Sequence, residues 1–253
     1  MSLRIIEWQG LINGSAAAEE SAITVGVFDG VHRGHQELIK SIVRRGPNPT
    51  VVTFRENPKK YISRLAGTAN SYEGDIFSLK QKLAVFEQMG VGRVILIDFS
   101  ENFSKLKGWE FFDILQKRAR MVFLSIGSNF RCGYRQDTGA ESIREINEQK
   151  GIPTEVIAPL KAGKTQVSSS RIRKAIASGD LVQAAALMGR NVELDMSDIT
   201  GGDAGCDLNA VQRIVPANGS YPVVMYPGRI SGQALVENGK VYLPGRAERL
   251  EFL

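Results

Sequence analysis

Two histidines, His32 and His35, are the only ones in the 253-residue chain, and they stand three apart in His32-Arg-Gly-His35. At that spacing two side chains share one face of a forming helical turn. The run before them, residues 23–28, is short, apolar and rich in β-branched residues, which reads as a buried parallel strand. Asp29-Gly30 breaks it, and Leu38, Ile39, Ile42 and Val43 then follow the i, i+3, i+4 spacing of a helix. Imidazoles at a helix entrance sit beside outward-facing backbone N–H groups and the positive end of the helix dipole, a setting suited to polyphosphate. Two other readings stay open on the residues alone: a zinc half-site with Asp29 as third ligand, and two ordinary histidines at a helix start. No cysteine or carboxylate cluster accompanies the pair.

A second chemical stretch is Gln166-Val-Ser-Ser-Ser-Arg-Ile-Arg173. Serines at a helix start cap it and leave amides available to anions. Arg171 adds a permanent, fork-shaped charge matched to phosphate oxygens. Taken alone, the pattern is a serine-capped basic helix.

Elements that alternate between strand and helix must position these residues. A lead-in strand is expected over residues 3–8 and a polar connection over 10–21, before the 23–28 strand and a helix reaching about Arg45. After the turn Gly46-Pro-Asn-Pro49 come strands at 50–54, 93–99, 121–126 and 154–158, with helices at 79–89, 109–120 and 141–150. Such alternation predicts an α/β fold, a doubly wound parallel sheet with ligands gathered beyond the carboxyl ends of its strands. Beyond Arg190 the composition shifts. Residues 197–207, rich in Gly and Asp, read as a linker or mobile loop; strands follow at 221–226, 231–237 and 240–243, with turns at Pro227-Gly228 and Asn238-Gly239. The expected division is a domain over 1–190 and a small β-rich C-terminal region over 191–253.

Composition is globular, with 43% hydrophobic and 23% charged residues and no low-complexity tract or clear repeat. The formal net charge of +5 favours anionic partners, but no Lys/Arg run interleaved with aromatics marks a nucleic-acid surface. The charge suits phosphorylated small molecules. Cys132 and Cys206 have neither metal nor redox-motif spacing, as expected in a reducing cytoplasm. No apolar run approaches a membrane span, and residues 1–9 lack the apolar core of a signal peptide.

Gly26-Val-Phe-Asp-Gly-Val-His-Arg-Gly-His35 resembles the strand–loop–helix signature of the HxGH nucleotidylyltransferases, whose fold is Rossmann-like. Its longer form is similar to the adenylyltransferase module of bacterial FAD synthetases, and the resemblance runs from about Ile23 to Arg190. Thr53-Phe-Arg-Glu-Asn-Pro58 resembles the family's Thr-Phe-x-Pro-His-Pro, with Glu56 in place of proline and Asn57 in place of histidine. Gly127-Ser-Asn-Phe-Arg-Cys-Gly133 resembles Gly-x-Asp-Phe-Arg-Phe-Gly, with Asn129 for aspartate and Cys132 for phenylalanine. Residues 166–176 resemble the family's Ile-Ser-Ser-Thr-Arg-Ile-Arg helix, and residues 179–190 its helix ending in Leu-Leu-Gly-Arg.

The resemblance implies an FMN adenylyltransferase, in which ATP and FMN give FAD and pyrophosphate. It implies that His32, His35, Ser169 and Arg171 carry the transfer. It places ATP on Gly26, Phe28, Asp29, Gly30, His32, His35, Ser169, Ser170 and Arg171, with Mg²⁺ arriving on the nucleotide. It places flavin near Phe54, Asn57, Pro58, Asn129, Phe130 and Arg131. No metal is expected to be held by the protein's own ligands. In these synthetases a riboflavin kinase barrel follows. Residues 191–253 show only a faint likeness to one of its strands at Pro216-Ala-Asn-Gly-Ser-Tyr-Pro-Val223, and neither its Gly-rich phosphate loop nor its Pro-Thr-Ala-Asn segment. Riboflavin kinase activity is therefore not expected. The alternatives are an adenylyltransferase for another phosphorylated metabolite, such as phosphopantetheine or a pyridine mononucleotide, and a flavin- or nucleotide-binding protein that has lost catalysis.

Overall fold

The computed structural model describes residues 2–14, 19–68, 72–197, 199, 201–202, 205–208 and 211–253. The chain forms two compact units: Met1–Phe28, Gly34–Tyr61 and Leu83–Leu160 in one, and Asp29–Arg33, Ile62–Lys82 and Lys161–Leu253 in the other.

In chain order the first elements are β1 (Arg4–Glu7), α1 (Trp8–Ile12), β2 (Ser21–Val25), α2 (Arg33–Arg45), β3 (Thr50–Phe54), α3 (Pro58–Leu65), α4 (Leu79–Gln88) and β4 (Arg93–Ile97). There follow α5 (Glu101–Ser104), α6 (Gly108–Arg118), β5 (Met121–Gly127), the short pair β6 (Arg131–Cys132) and β7 (Thr138–Gly139), α7 (Ala140–Gln149) and β8 (Thr154–Ile157). Six strands form a parallel sheet in the order β1-β4-β3-β2-β5-β8. Every residue of β2 and of β4 is buried, as expected of continuous apolar runs flanked by strands on both sides, whereas β1 at the edge is largely exposed. The sheet grows from β2 outward through β3 and β4, then restarts on the other side with β5. The reversal between β2 and β5 is the crevice where doubly wound folds take their ligands, and Gly26 and Gly127 lie at its rim.

Most elements differ from expectation only at their ends. One exception is α1. The lead-in strand ends at Glu7, and the supposed polar connection begins as a helix that buries Trp8 and Leu11. Trp8 packs on Phe103 and Phe111 at ring distances of 5.6 and 5.4 Å, and this packing stabilises a helix too short to show periodicity. Residues 15–18 of that stretch lie outside the described residues. Another exception is Val43, which is exposed, so the buried face of α2 is Leu38, Ile39, Ser41 and Ile42.

The second unit contains the short ladder β9 (Lys161–Ala162) and β10 (Thr165–Gln166), helices α8 (Ser169–Ala177) and α9 (Leu181–Met188), and then only strands. These are β11 (Glu193–Asp195), β12 (Gly201–Gly202), β13 (Gly205–Asp207), β14 (Gly219–Tyr226), β15 (Ile230–Glu237), β16 (Lys240–Tyr242) and β17 (Arg249–Phe252). They pair antiparallel in the order β11-β17-β14-β15-β16-β13-β12. Asn238 and Gly239, both at positive φ, make the tight turn from β15 to β16. The stretch expected to be a linker is part of this sheet: β12 and β13 extend it at one edge, while Asp198, Thr200, Asp203 and Ala204 lie outside the described residues. Among the described residues no helix is long and apolar enough to cross a membrane.

Candidate active site

The loop leaving β2 folds in the second unit as a single tight turn, Asp29–Val31, just before α2. Its backbone is unusual: φ is 53° at Phe28, 74° at Gly30 and 36° at Val31. Glycine is required at position 30, because a Cβ there would come within 2.9 Å of the Ile76 side chain. Phe28 and Val31 have no such freedom, and a β-branched residue in the left-handed region costs about 1–3 kcal/mol, so surrounding contacts must hold the turn.

Those contacts are specific. The Asp29 carboxylate accepts hydrogen bonds from Ile76 N and Phe77 N at 3.0 and 3.1 Å, and it pairs with the buried Arg173 guanidinium. Ser169 Oγ donates to the Asp29 carbonyl at 3.0 Å, and Arg190 Nη2 donates to the Val31 carbonyl at 2.8 Å. Asp29 is 3% exposed; burial pushes its carboxyl above the usual range, opposed by Arg173 and the two amides. The donor segment is itself fastened to later chain. Asp75 N donates to Gln212 O, Ile214 N to Asp75 O, Ser78 Oγ to Asp195 and Gln81 Nε2 to Glu193 O. Gly74 allows this approach, since a Cβ there would meet the Arg213 carbonyl carbon at 2.7 Å.

His32 follows the turn and is 6% exposed. Burial, with a smaller push from the Arg190 charge, lowers its pKa from 6.5 to about 4, so the imidazole is neutral at pH 7. This predicts an acid-sensitive fold. Below pH 6.5 the unfolded chain takes up the proton that folded His32 refuses, so stability falls with pH and levels off only below about 4. The full gap corresponds to about 3 kcal/mol. Urea unfolding at pH 7.5 and pH 5 should show a clearly smaller acid loss in His32→Gln than in the wild type. Equal losses would refute a neutral, buried His32.

His35 lies in the first turn of α2, half-buried in the first unit, with its ring edge-on to Phe28 at 5.1 Å. Phe28 is fully buried and also meets Phe86 edge-on at 5.7 Å. The zinc reading loses its third ligand, because the Asp29 carboxylate is taken up by Arg173 and two amides. Among the described residues no group of three or more His, Cys, Asp or Glu side chains could hold a metal ion.

At the start of α8 the capping residue is Ser168, whose Oγ accepts from Arg171 N. Ser169 turns its hydroxyl to Asp29, while Ser170 and Arg171 are exposed. Arg173, which holds the Asp29 carboxylate, is a residue of the candidate site to which the sequence reading gave no role. The available signal was its place four after Ser169, which puts both side chains on one helix face.

The residues expected near flavin lie in the first unit. Phe54 ends β3 and meets Phe99 and Phe103 at 5.9 Å; through Phe103, Phe111 and Phe112 the edge-to-face contacts continue to Phe130. Asn57 is buried and its Oδ1 accepts from Lys59 N at 3.1 Å, while Pro58 opens α3. Asparagine before proline is a good helix start, which accounts physically for the side chain found there. Asn129 and Arg131 are exposed; Arg131 Nη2 donates to Gln136 O at 3.0 Å. In the same unit a hollow of about 380 Å³ lies beside Gly34, lined also by Glu37, Arg44, Glu155, Ile157 and Ala158. Of its lining only Gly34 belongs to a motif, His32-Arg-Gly-His35.

The strand order, reversing between β2 and β5, defines a doubly wound α/β protein. Residues 14–171, more than half of the chain, match the model of the FAD synthetase family. The chain belongs to the FAD synthetase family, whose members are nucleotidyltransferases. It is 25% identical over 206 residues to the bifunctional riboflavin kinase/FMN adenylyltransferase of Buchnera aphidicola from Acyrthosiphon pisum, covering 79% of this chain and 64% of that one. It thus spans less than two thirds of that relative's length. With the Escherichia coli K12 protein of the same description it is 25% identical over 228 residues, covering 85% of this chain and 71% of the relative. A crystal structure titled macrolide-efflux protein from Streptococcus pneumoniae superposes with a TM-score of 0.77 at 23% identity, covering 100% of this chain and 89% of that one, and so shares the fold.

Proposed function

We propose that this protein is an FMN adenylyltransferase, joining the AMP moiety of ATP to FMN and releasing pyrophosphate. The observation that carries the reading is the clamp at Asp29, where the Ser-Ser-Arg helix reaches the loop leading into His32 through both Ser169 and Arg173. In this reading an FMN phosphate oxygen attacks the α-phosphorus of ATP, and pyrophosphate leaves in line. Such a transfer depends on positioning and charge neutralisation and needs no covalent nucleophile. Neutral His32 donates a hydrogen bond to a phosphate oxygen as charge develops, and His35 acts likewise. The Ser169 hydroxyl hydrogen is committed to Asp29, so Ser170 and Arg171 meet the β- and γ-phosphates and Ser169 holds the loop. ATP is used as its Mg²⁺ complex, in which the metal is held largely by phosphates and waters. Gly26, Phe28, Asp29 and Gly30 shape the nucleotide loop. Flavin lies near Phe54, Asn57, Pro58, Asn129, Phe130 and Arg131.

Residues 1–190 carry this activity and residues 191–253 a reduced, kinase-like β region without riboflavin kinase activity, in a cytoplasmic enzyme that binds neither nucleic acid nor membrane. The lack of a Gly-rich phosphate loop and of a Pro-Thr-Ala-Asn segment after residue 190 supports the second clause. Purified protein should be incubated with ATP and Mg²⁺ and either FMN or riboflavin, and the flavins separated by chromatography. FAD is expected from FMN alone. FMN formed from riboflavin would overturn the kinase clause. No FAD, with turnover of another phosphorylated acceptor, would replace the acceptor; flavin binding without turnover would favour a protein that has lost catalysis, the reading to which Asn57 points.

A further inference from the structure

Arg190 belongs to the Gly-Arg motif that closes the helical pair, yet no step of the transfer uses it. It follows Gly189, where α9 ends, and its side chain is half-buried in the second unit. Nη2 donates to the Val31 carbonyl at 2.8 Å, and the guanidinium lies over the Phe77 ring at 5.3 Å. Nη1 is buried with no acceptor among the described residues. Burial holds the group below its ordinary range, with Glu193 in β11 opposing it.

Two facts make the Val31 contact more than packing. The Val31 carbonyl and the His32 N–H belong to one rigid peptide plane, so fixing the first fixes the direction in which His32 leaves the backbone. Val31 also has φ of 36°, a conformation that relaxes unless its neighbours oppose relaxation. The Phe77 amide grips Asp29 at one end of the turn while the Phe77 ring supports Arg190 at the other. We infer that Arg190 is a positioning residue for the transfer, holding the Val31–His32 peptide in the orientation from which His32 acts. This rests on the proposed role of His32.

The test uses the full chain with Arg190→Met and Arg190→Lys. Arg190→Met is expected to lower kcat for FAD formation by ~10–100-fold with little change in the FMN KM, as for loss of an interaction that matters in the transition state. Arg190→Lys should recover part of kcat, since it keeps a donor but not the planar fork. With only two histidines in the chain, imidazole proton signals give an independent readout, His35→Gln assigning the pair. Arg190 is the charged side chain that acts on His32, so its removal should move the His32 midpoint upward from about 4. Wild-type kcat in folded Arg190→Met, or an unmoved midpoint in it, would overturn the inference. Should Arg190→Met not fold, the shorter, uncharged Arg190→Gln takes its place, and wild-type kcat with an unmoved midpoint in it decides against the inference equally. The signals need no substrate: a wild-type protein that makes no FAD, yet whose His32 midpoint shifts in the variant, would sink the proposed function and the role in the transfer with it, leaving Arg190 a structural support of the Val31–His32 peptide, whereas FAD formation by wild type and Arg190→Met alike would sink the inference alone.

Discussion

His32→Ala is expected to lower kcat for FAD formation by ~10²–10³-fold while the FMN KM changes little, and His35→Ala should behave similarly. The expectation follows from where the two rings sit. His32 is 6% exposed and neutral at pH 7, so its ring is surrounded mainly by protein and loses little hydration when it meets a phosphate oxygen. A preorganised donor of this kind is worth ~3–4 kcal/mol when charge builds on an oxyanion, and much less against the resting substrate. His35 is held edge-on to the buried Phe28, so its aim is likewise set by packing. Glutamine keeps a donor at roughly the same reach, and His32→Gln should therefore retain more activity than His32→Ala. Steady-state kinetics with FMN varied, together with flavin fluorescence for binding, separate the two parameters. Wild-type kcat in either alanine variant would remove that histidine from the transfer; an equal loss in FMN affinity would make it a binding residue.

The second large effect concerns the buried ion pair. Arg173→Met should destabilise the protein by about 3–5 kcal/mol, because it leaves the Asp29 carboxylate in the interior without its countercharge. Arg173 also donates from Nε to the Gly74 carbonyl at 2.8 Å, so its loss releases the segment whose amides hold Asp29. In a chain of this size each kcal/mol moves Tm by about 2–4 °C, which puts the shift near 10 °C. Asp29→Asn, which strands the guanidinium instead, should cost a similar amount. The double variant should be less unstable than the sum of the two, as expected of groups in contact. Thermal or urea unfolding of the three proteins checks this. Costs within about 0.5 kcal/mol of zero for Arg173→Met would show that the pair contributes nothing, and strict additivity would show that the partners act separately.

Most of the parallel sheet was legible because its strands are continuous apolar runs and its helices keep a regular spacing; α7 and the β15–β16 turn at Asn238-Gly239 were plain on the same grounds. The misses have physical causes. Helix α1 owes its form to Trp8 packing on Phe103 and Phe111, a contact between residues about a hundred positions apart. Helix α3 is only eight residues long and buries none of them, too short a run to read as a helix. Strands β12 and β13 are Gly-rich edge pieces defined by partners rather than by composition. In the candidate site, His32, Ser169 and Asp29 stood out by motif. Arg173 and Arg190 lay inside motifs but without a role, because an arginine that will be buried looks like any other, and the Ile76–Phe77 amides gave no signal, because backbone donors carry no residue signature.

The long reach of the clamp also bears on how the protein is born. The turn at Asp29–Val31 emerges from the ribosome among the first segments, yet the groups that hold it come from Ile76, Ser169, Arg173 and Arg190, the last some 159 positions downstream of the carbonyl it grips. Even Ile76 and Phe77 depend on the Asp75–Arg213 bridge. Contacts of such sequence separation form late, since loop closure must precede them. The earliest-made piece of the site is thus among the last to set. A nascent chain exposes a slack turn until the segments carrying Arg190 and Arg213 have been made.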